Sequence, residues 1–170
     1  MSIYASIEDF TSHLKNNSIS FAIIGGLAVF AYGGERATFD VDFLIDGTHH
    51  EAVKKIANQM GLKIMNENES VLQLSGTTQI DIIFARKTHS QKMLQNCRII
   101  ESLPYPVVGP EDLIGLKIQA FSGDRNREVI DKGDILTLMR LVPNLDFIKI
   151  QEYADIFGVW SEILELKKHV

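Results

Sequence analysis

Apolar positions along the chain change their period several times, and each change marks an element. Ile7, Phe10 and Leu14 recur at helical spacing, which predicts a short amphipathic helix over 6–16, ending at Asn16-Asn17. Phe21-Ala22-Ile23-Ile24 is an unbroken apolar run and predicts a buried strand, stopped by Gly25-Gly26. An apolar helix follows over 27–32, broken by Gly33-Gly34. Over 39–45 aspartates alternate with apolar residues, which predicts a strand with Phe39, Val41 and Phe43 toward the core and Asp40 and Asp42 on the other face. Val53, Ile56, Ala57 and Met60 share one face of a helix over 49–60.

The second half begins with strands over 62–65 and 71–74 around an Asn-rich turn, then a strand over 79–85. A short helix near 90–95 and a strand over 97–102 follow. Gly109-Pro110-Glu111-Asp112 starts a helix, with proline early and acids at the positive end of the helix dipole. That helix is predicted to run to about Phe121, another from about Arg125 to Leu141, and two more over 146–157 and 159–168. The order is mixed α and β first and all α last, without regular βαβ alternation, so the fold class is α+β. The expected division is a core over 1–108 and a helical part over 109–170 packed on it.

Composition narrows the setting. No apolar run reaches a membrane-spanning length of roughly 20 residues, so no membrane partner is expected. The first residues lack the basic and apolar regions of an export signal, which predicts a cytoplasmic protein. Cys97 is the only cysteine, so it reads as a small packing thiol rather than a nucleophile. A net charge of −5 excludes a nucleic-acid binder driven by bulk charge. The charge is uneven, however. Arg86, Lys87, Lys92 and Arg98 fall in a stretch without acids, either a basic flank to an acidic pocket or an ordinary solvated surface. His49-His50 reads as an exposed helix start.

The chemistry concentrates in three places. Asp40 and Asp42 repel each other on one strand face, and such a pair persists in solvent or around a cation. Mg²⁺ prefers oxygen ligands and keeps positions open for phosphate. Asp81 interrupts an otherwise apolar strand. If the two strands are neighbours, the three carboxylates converge and suit two ions roughly 3.5–4 Å apart, an arrangement for in-line phosphoryl transfer. Upstream, Gly25-Gly26 ends a strand and opens a helix, which is either an anion site built of backbone N–H groups or a tight turn. It has neither the Gly-Lys-Ser/Thr of a P-loop nor the G-x-G-x-x-G of a dinucleotide fold.

Together, Ile24-Gly25-Gly26-Leu27-Ala28, Arg36-Ala37-Thr38-Phe39-Asp40-Val41-Asp42 and Ile80-Asp81-Ile82 resemble the nucleotidyltransferase superfamily. Its signature is a Gly-Gly or Gly-Ser turn, a D-x-D or D-x-E strand and a third carboxylate on a later strand. The Arg-x-Thr-x-Asp-x-Asp form is most similar to minimal and AbiEii-like members, several of which are toxins of toxin–antitoxin systems. Lys117, Ala120, Arg125 and the Asp131/Asp134 pair resemble that group's helical motif, so the likeness spans about 21–138.

The resemblance implies the polymerase-beta-like nucleotidyltransferase fold and Mg²⁺- or Mn²⁺-dependent transfer of a nucleoside monophosphate from an NTP to a hydroxyl. The acceptor would be RNA (including a tRNA end) or protein, with an antitoxin partner in the toxin case. Alternatives are a small-molecule acceptor of aminoglycoside or lincosamide type, or a catalytically inactive nucleotide-binding module. Gly25 and Gly26 would hold the triphosphate, Asp40 and Asp42 the metals, and Asp81 would be ligand and base. Lys117 would reach phosphate, with Arg125 also in nucleotide binding. Arg36 and Thr38 border the acids; Arg36 would contact phosphate or form a structural salt bridge. Asp131 and Asp134 would position Lys117 or Arg125, or lie on a solvated helix face. Two positions depart from the family pattern: Gly26 removes a frequent serine hydroxyl, and Phe39 stands where relatives are often polar.

Overall fold

A computed structural model describes residues 3–35 and 37–170. Eight helices and seven strands appear among them: α1 (Ile3–Asn16), β1 (Phe21–Ile24), α2 (Gly25–Ala31), β2 (Asp40–Asp46), α3 (His50–Gln59), β3 (Lys63–Glu67), β4 (Val71–Ser75), β5 (Gln79–Ala85), α4 (Thr88–Gln95), β6 (Arg98–Ile100), β7 (Leu103–Val107), α5 (Pro110–Gly123), α6 (Glu128–Leu141), α7 (Phe147–Phe157) and α8 (Trp160–Lys167). The strands form one mixed sheet in the order β3-β4-β5-β2-β1-β7-β6. β2 lies antiparallel to β1 and parallel to β5. No helix among the described residues is long and apolar enough to cross a membrane.

Strand alternation decides the two faces of this sheet. On one face Val41, Phe43, Ile45, Leu72, Leu74, Ile80, Ile82 and Phe84 are buried. Helices α1 and α3 cover them, Phe10 meeting Phe43 at 5.2 Å between ring centroids and His50 meeting Phe84 at 4.5 Å. His50 is therefore a packed residue rather than the exposed helix start its sequence suggested. The opposite face carries Asp40, Asp42 and Asp81, and α2 and α5 lie over it around those acids. In the helical part, α5 packs on α6 and α7, and α6 on α8.

Three expectations need correction. Phe39 is 89% exposed, because the chain enters β2 only at Asp40 and the alternation does not reach back into the preceding bend. The strand predicted over 97–102 is shorter, and β7 follows it at Leu103-Pro104-Tyr105-Pro106-Val107. Prolines normally argue against a strand inside a sheet. Here they are two residues apart, so both missing N–H donors fall on the same strand edge and the other edge keeps its donors. Lastly, the helix predicted from Arg125 opens as a 3₁₀ turn over Arg125–Arg127, and α6 begins at Glu128. Cys97 is half-buried against the core, and burial pushes its thiol pKa up, as suits a packing residue.

Candidate active site

Register brings the acids together. Asp42 on β2 stands directly opposite Asp81 on β5, and residues opposite each other in a ladder share a face. Asp40 is two residues earlier on the same face. One carboxylate oxygen from each of the three lies within 4.8 Å of the others. Thr38 fixes Asp40 by donating its hydroxyl to Asp40 Oδ1 at 2.6 Å. On β5, Gln79 Nε2 donates to both oxygens of Asp81, at 3.1 and 3.2 Å, and Gln73 Nε2 of β4 donates to Oδ1 at 3.3 Å.

The cluster strains against its own charge. The Asp42 pKa is pushed up to about 7, first by burial and then by the charges of Asp40 and Asp81. Lys117 and Arg127 pull it partly back. Three crowded oxygen donors, one resisting ionisation through burial and its acidic neighbours, are a donor set that a hard divalent cation fits. Asp40, Asp42 and Asp81 would hold it.

Behind the acids sits Gly25, with φ at +66°. A Cβ there would lie 1.8 Å from Asp42 Oδ2, so backbone conformation and close approach both call for glycine. Gly25→Ala is expected to displace Asp42, costing about 1–3 kcal/mol of stability. Thermal melts of the wild type and the variant check this.

The cleft in front measures about 260 Å³ and is lined by Gly26, Asp40, Asp42, Asp81, Lys117, Asn126, Arg127 and Ile130. Lys117 projects from α5 and is only 5% exposed. Its Nζ lies 3.1 Å from Asp131 and 2.7 Å from Asp134, which are one turn apart on α6. Asp131 also accepts from Arg127 Nε at 3.2 Å. Two larger hollows, of about 450 and 590 Å³, lie elsewhere and contain no converging set of three carboxylates. Size alone does not locate the chemistry. His50, Glu51 and Glu67 also converge, but Lys54 Nζ, 2.7 Å from Glu67, already supplies the positive charge there.

Most sequence-designated residues therefore gather at one place: Gly25, Gly26, Thr38, Asp40, Asp42, Asp81, Lys117, Asp131 and Asp134. Arg125 does not. It bonds Glu162, pairs with Glu128 and lies over the Phe121 ring, away from the cleft lining. In a turn of three residues per revolution, side chains two apart diverge by about 120°, so Arg127 faces the acids when Arg125 cannot. Arg36 lies outside the described residues. The basic stretch also misses the acids: Arg86 is five residues beyond Asp81, roughly 17 Å along β5, and donates to Glu69 O. Sequence reading missed Arg127, Gln73 and Gln79. The i,i+4 spacing of Arg127 and Asp131 was available as a signal, as was the i,i+2 spacing of Gln79 and Asp81.

No protein-family model and no curated protein sequence matches the chain. Solved structures do. A crystal structure of ANT(2'')-Ia in complex with adenylyl-2''-tobramycin superposes with a TM-score of 0.70 at 16% identity, over 91% of this chain and 95% of that one. The solution structure of the antibiotic-resistance factor ANT(2'')-Ia gives 0.67 at 17% identity, over 96% and 95%. The lincomycin-bound lincosamide antibiotic adenylyltransferase LnuA gives 0.59 at 15%, over 80% and 96%. At such identities the likeness speaks for architecture, and with the Gly25-Gly26 turn, the paired β2 and β5 and the acids between them, it makes this chain a protein of the nucleotidyltransferase fold.

Proposed function

We propose that the chain transfers a nucleoside monophosphate from an NTP to an acceptor hydroxyl, releasing pyrophosphate. The observation that carries this reading is the convergence of Asp40, Asp42 and Asp81 across a cleft from Lys117 and Arg127. A divalent ion such as Mg²⁺ or Mn²⁺ on the three aspartates would supply positive charge to the attacking and leaving oxygens. Asp81 accepts the proton of the attacking hydroxyl as its oxygen bonds to the α-phosphorus and the bond to pyrophosphate breaks. Arg127, pinned at Nε by Asp131, keeps its terminal nitrogens for phosphate oxygens. Gly26 supplies backbone without a side chain beside the acids, and Thr38 holds Asp40 in place.

Thermal stabilisation by NTP in the presence of Mg²⁺ tests the reading. Wild-type protein is expected to melt higher only when both are present. Arg127→Ala is expected to weaken NTP binding by about ten- to a hundredfold, the worth of one or two charge-assisted hydrogen bonds. A wild-type protein indifferent to Mg²⁺ and NTP would remove the proposal, and an unaffected Arg127→Ala would remove Arg127 from it.

A basic stretch beside the acids would favour a polyanionic acceptor such as RNA, but Arg86 at its start lies away from the acids and donates to Glu69 O. A small-molecule acceptor is favoured instead by the near-complete mutual coverage with ANT(2'')-Ia, solved with adenylyl-2''-tobramycin. A toxin role would add an antitoxin that occupies or covers the cleft.

A further inference from the structure

The sheet face that carries the acids does not end with them. Across the strands, Asp42, Asp81, Gln73 and Asn66 stand opposite one another in one row on β2, β5, β4 and β3. Asn66 Nδ2 donates to Gln73 Oε1 at 3.2 Å, and Gln73 in turn donates to Asp81. A chain of amides thus runs outward from the third carboxylate over two strand spacings, roughly 10 Å. The rows on either side hold Gln79 with Ser75, and Ile83 with Val71. On the other face of β4 and β5, Leu72, Leu74, Ile80, Ile82 and Phe84 are buried, whereas here Ile83 is 37% exposed and Asn66 and Gln79 are open to solvent.

Direction gives this surface its meaning. Of the groups lining the cleft, Gly26 belongs to α2, Lys117 to α5, and Arg127 to the turn that leads into α6; α5 and α6 both pack on α2, which follows β1. Groups that attract the departing pyrophosphate are therefore on the α2 side. In-line displacement brings the nucleophile from the opposite side of the phosphorus, which here is the side of β4 and β3. Resting on the nucleotidyl-transfer reading above, we infer that the open face of β3, β4 and β5 is the acceptor platform, and that Gln73, with Gln79 and Asn66, orients Asp81 and selects a small, non-anionic, polyhydroxylated acceptor. Amides both donate and accept, so they suit hydroxyl groups of either role. Ile83 and Val71 offer apolar surface for the carbon face of a sugar-sized ring. Among the described residues, Arg86 and Lys87 collect beyond Ile83 at the far end of β5. Lys63, opposite Ser75, is at the outer edge. Among the described residues neither group sits beside Asp81, where a polyanion would need charge to approach the three carboxylates.

Side-chain amide signals make the platform directly observable. ¹⁵N-labelled protein, saturated with Mg²⁺ and a non-hydrolysable NTP analogue, is titrated with a panel of aminoglycosides, oligosaccharides and cyclitols, and separately with a six-nucleotide RNA. The Gln73, Gln79 and Asn66 amide resonances are expected to shift with a member of the panel and not with RNA. That compound is then expected to accept the nucleotide. Gln73→Leu should raise its KM by about tenfold while the NTP affinity stays within about twofold, and Asn66→Ala, at an exposed position, should raise KM without loss of fold. Protein that binds the NTP analogue but shows no such shift with any panel member, or shows it with RNA, overturns the acceptor assignment. A Gln73→Leu protein with unchanged acceptor KM overturns the role of Gln73. Failure to bind the NTP analogue at all strikes the underlying transfer reading instead.

Discussion

Asp42→Asn is expected to make the metal-free protein more stable and to abolish the proposed transfer. The two effects share one cause. In the metal-free fold Asp42 keeps its proton up to about pH 7, against an ordinary value of 3.8. A carboxyl with a raised folded-state pKa adds stability that is fully present below pH 4 and is lost as pH rises through about 7. Above pH 7 the ionised, buried Asp42 therefore weighs against the fold by an amount on the order of a few kcal/mol. An asparagine has no charge to bury. In EDTA at pH 8 the variant should melt above the wild type, and the gap should close toward pH 5. Mg²⁺ with NTP should then raise the wild-type melting temperature and leave the variant unmoved. Turnover should fall by about 10³-fold or more, equal to roughly 4 kcal/mol of transition-state stabilisation. Melting curves across pH with and without Mg²⁺, together with a pyrophosphate-release assay, measure both halves. A variant less stable than wild type at pH 8 in EDTA would contradict the repulsion on which the metal assignment rests.

Lys117→Met should have the largest effect on stability. Its Nζ lies between Asp131 and Asp134, both almost fully buried, and the pair joins α5 to α6. Removing the lysine takes that cation from both carboxylates; Asp131 keeps Arg127. Breaking a buried ion pair from one side costs roughly 3–5 kcal/mol, because the remaining charge stays desolvated. Asp134→Asn in the same chain, which removes one of the two carboxylates that faced the lysine, should recover part of that loss without restoring the proposed transfer, since one of the cations facing the acids is still missing. Chemical denaturation of the single and double variants measures the recovery. Equal stability of wild type and Lys117→Met would show that the network contributes nothing to the fold.

The fold and the acid cluster were legible because their signals are local and periodic. Asp40-Val41-Asp42 fixes two carboxylates on one strand face whatever the tertiary structure. Asp81 stands out because everything beside it is apolar. Whether β2 and β5 are neighbours is not local, and it was the resemblance rather than the pattern that made three acids into one site. β7 was hidden because proline normally marks the end of a strand, and the arithmetic that tolerates two prolines on one edge depends on which neighbours the strand acquires. Phe39 was misread by extending the alternation one residue past the point where the ladder begins. The choice between Arg125 and Arg127 turned on a 3₁₀ opening that helix periodicity cannot foresee. Gln73 carried no signal of its own, since an amide on a half-exposed strand is ordinary until Asp81 is placed opposite it.

If these residues serve nucleotidyl transfer, the α- and γ-phosphates of the NTP must part company. Protein, Mg²⁺ and NTP labelled separately at the α- and γ-phosphates are incubated with the polyhydroxylated panel, total RNA and protein. The α-label is expected to become attached to an acceptor and the γ-label to leave in pyrophosphate in equal amount, and EDTA or Asp42→Asn is expected to stop both. Transfer of the γ-label, or retention of both labels in intact NTP with every acceptor, would contradict nucleotidyl transfer.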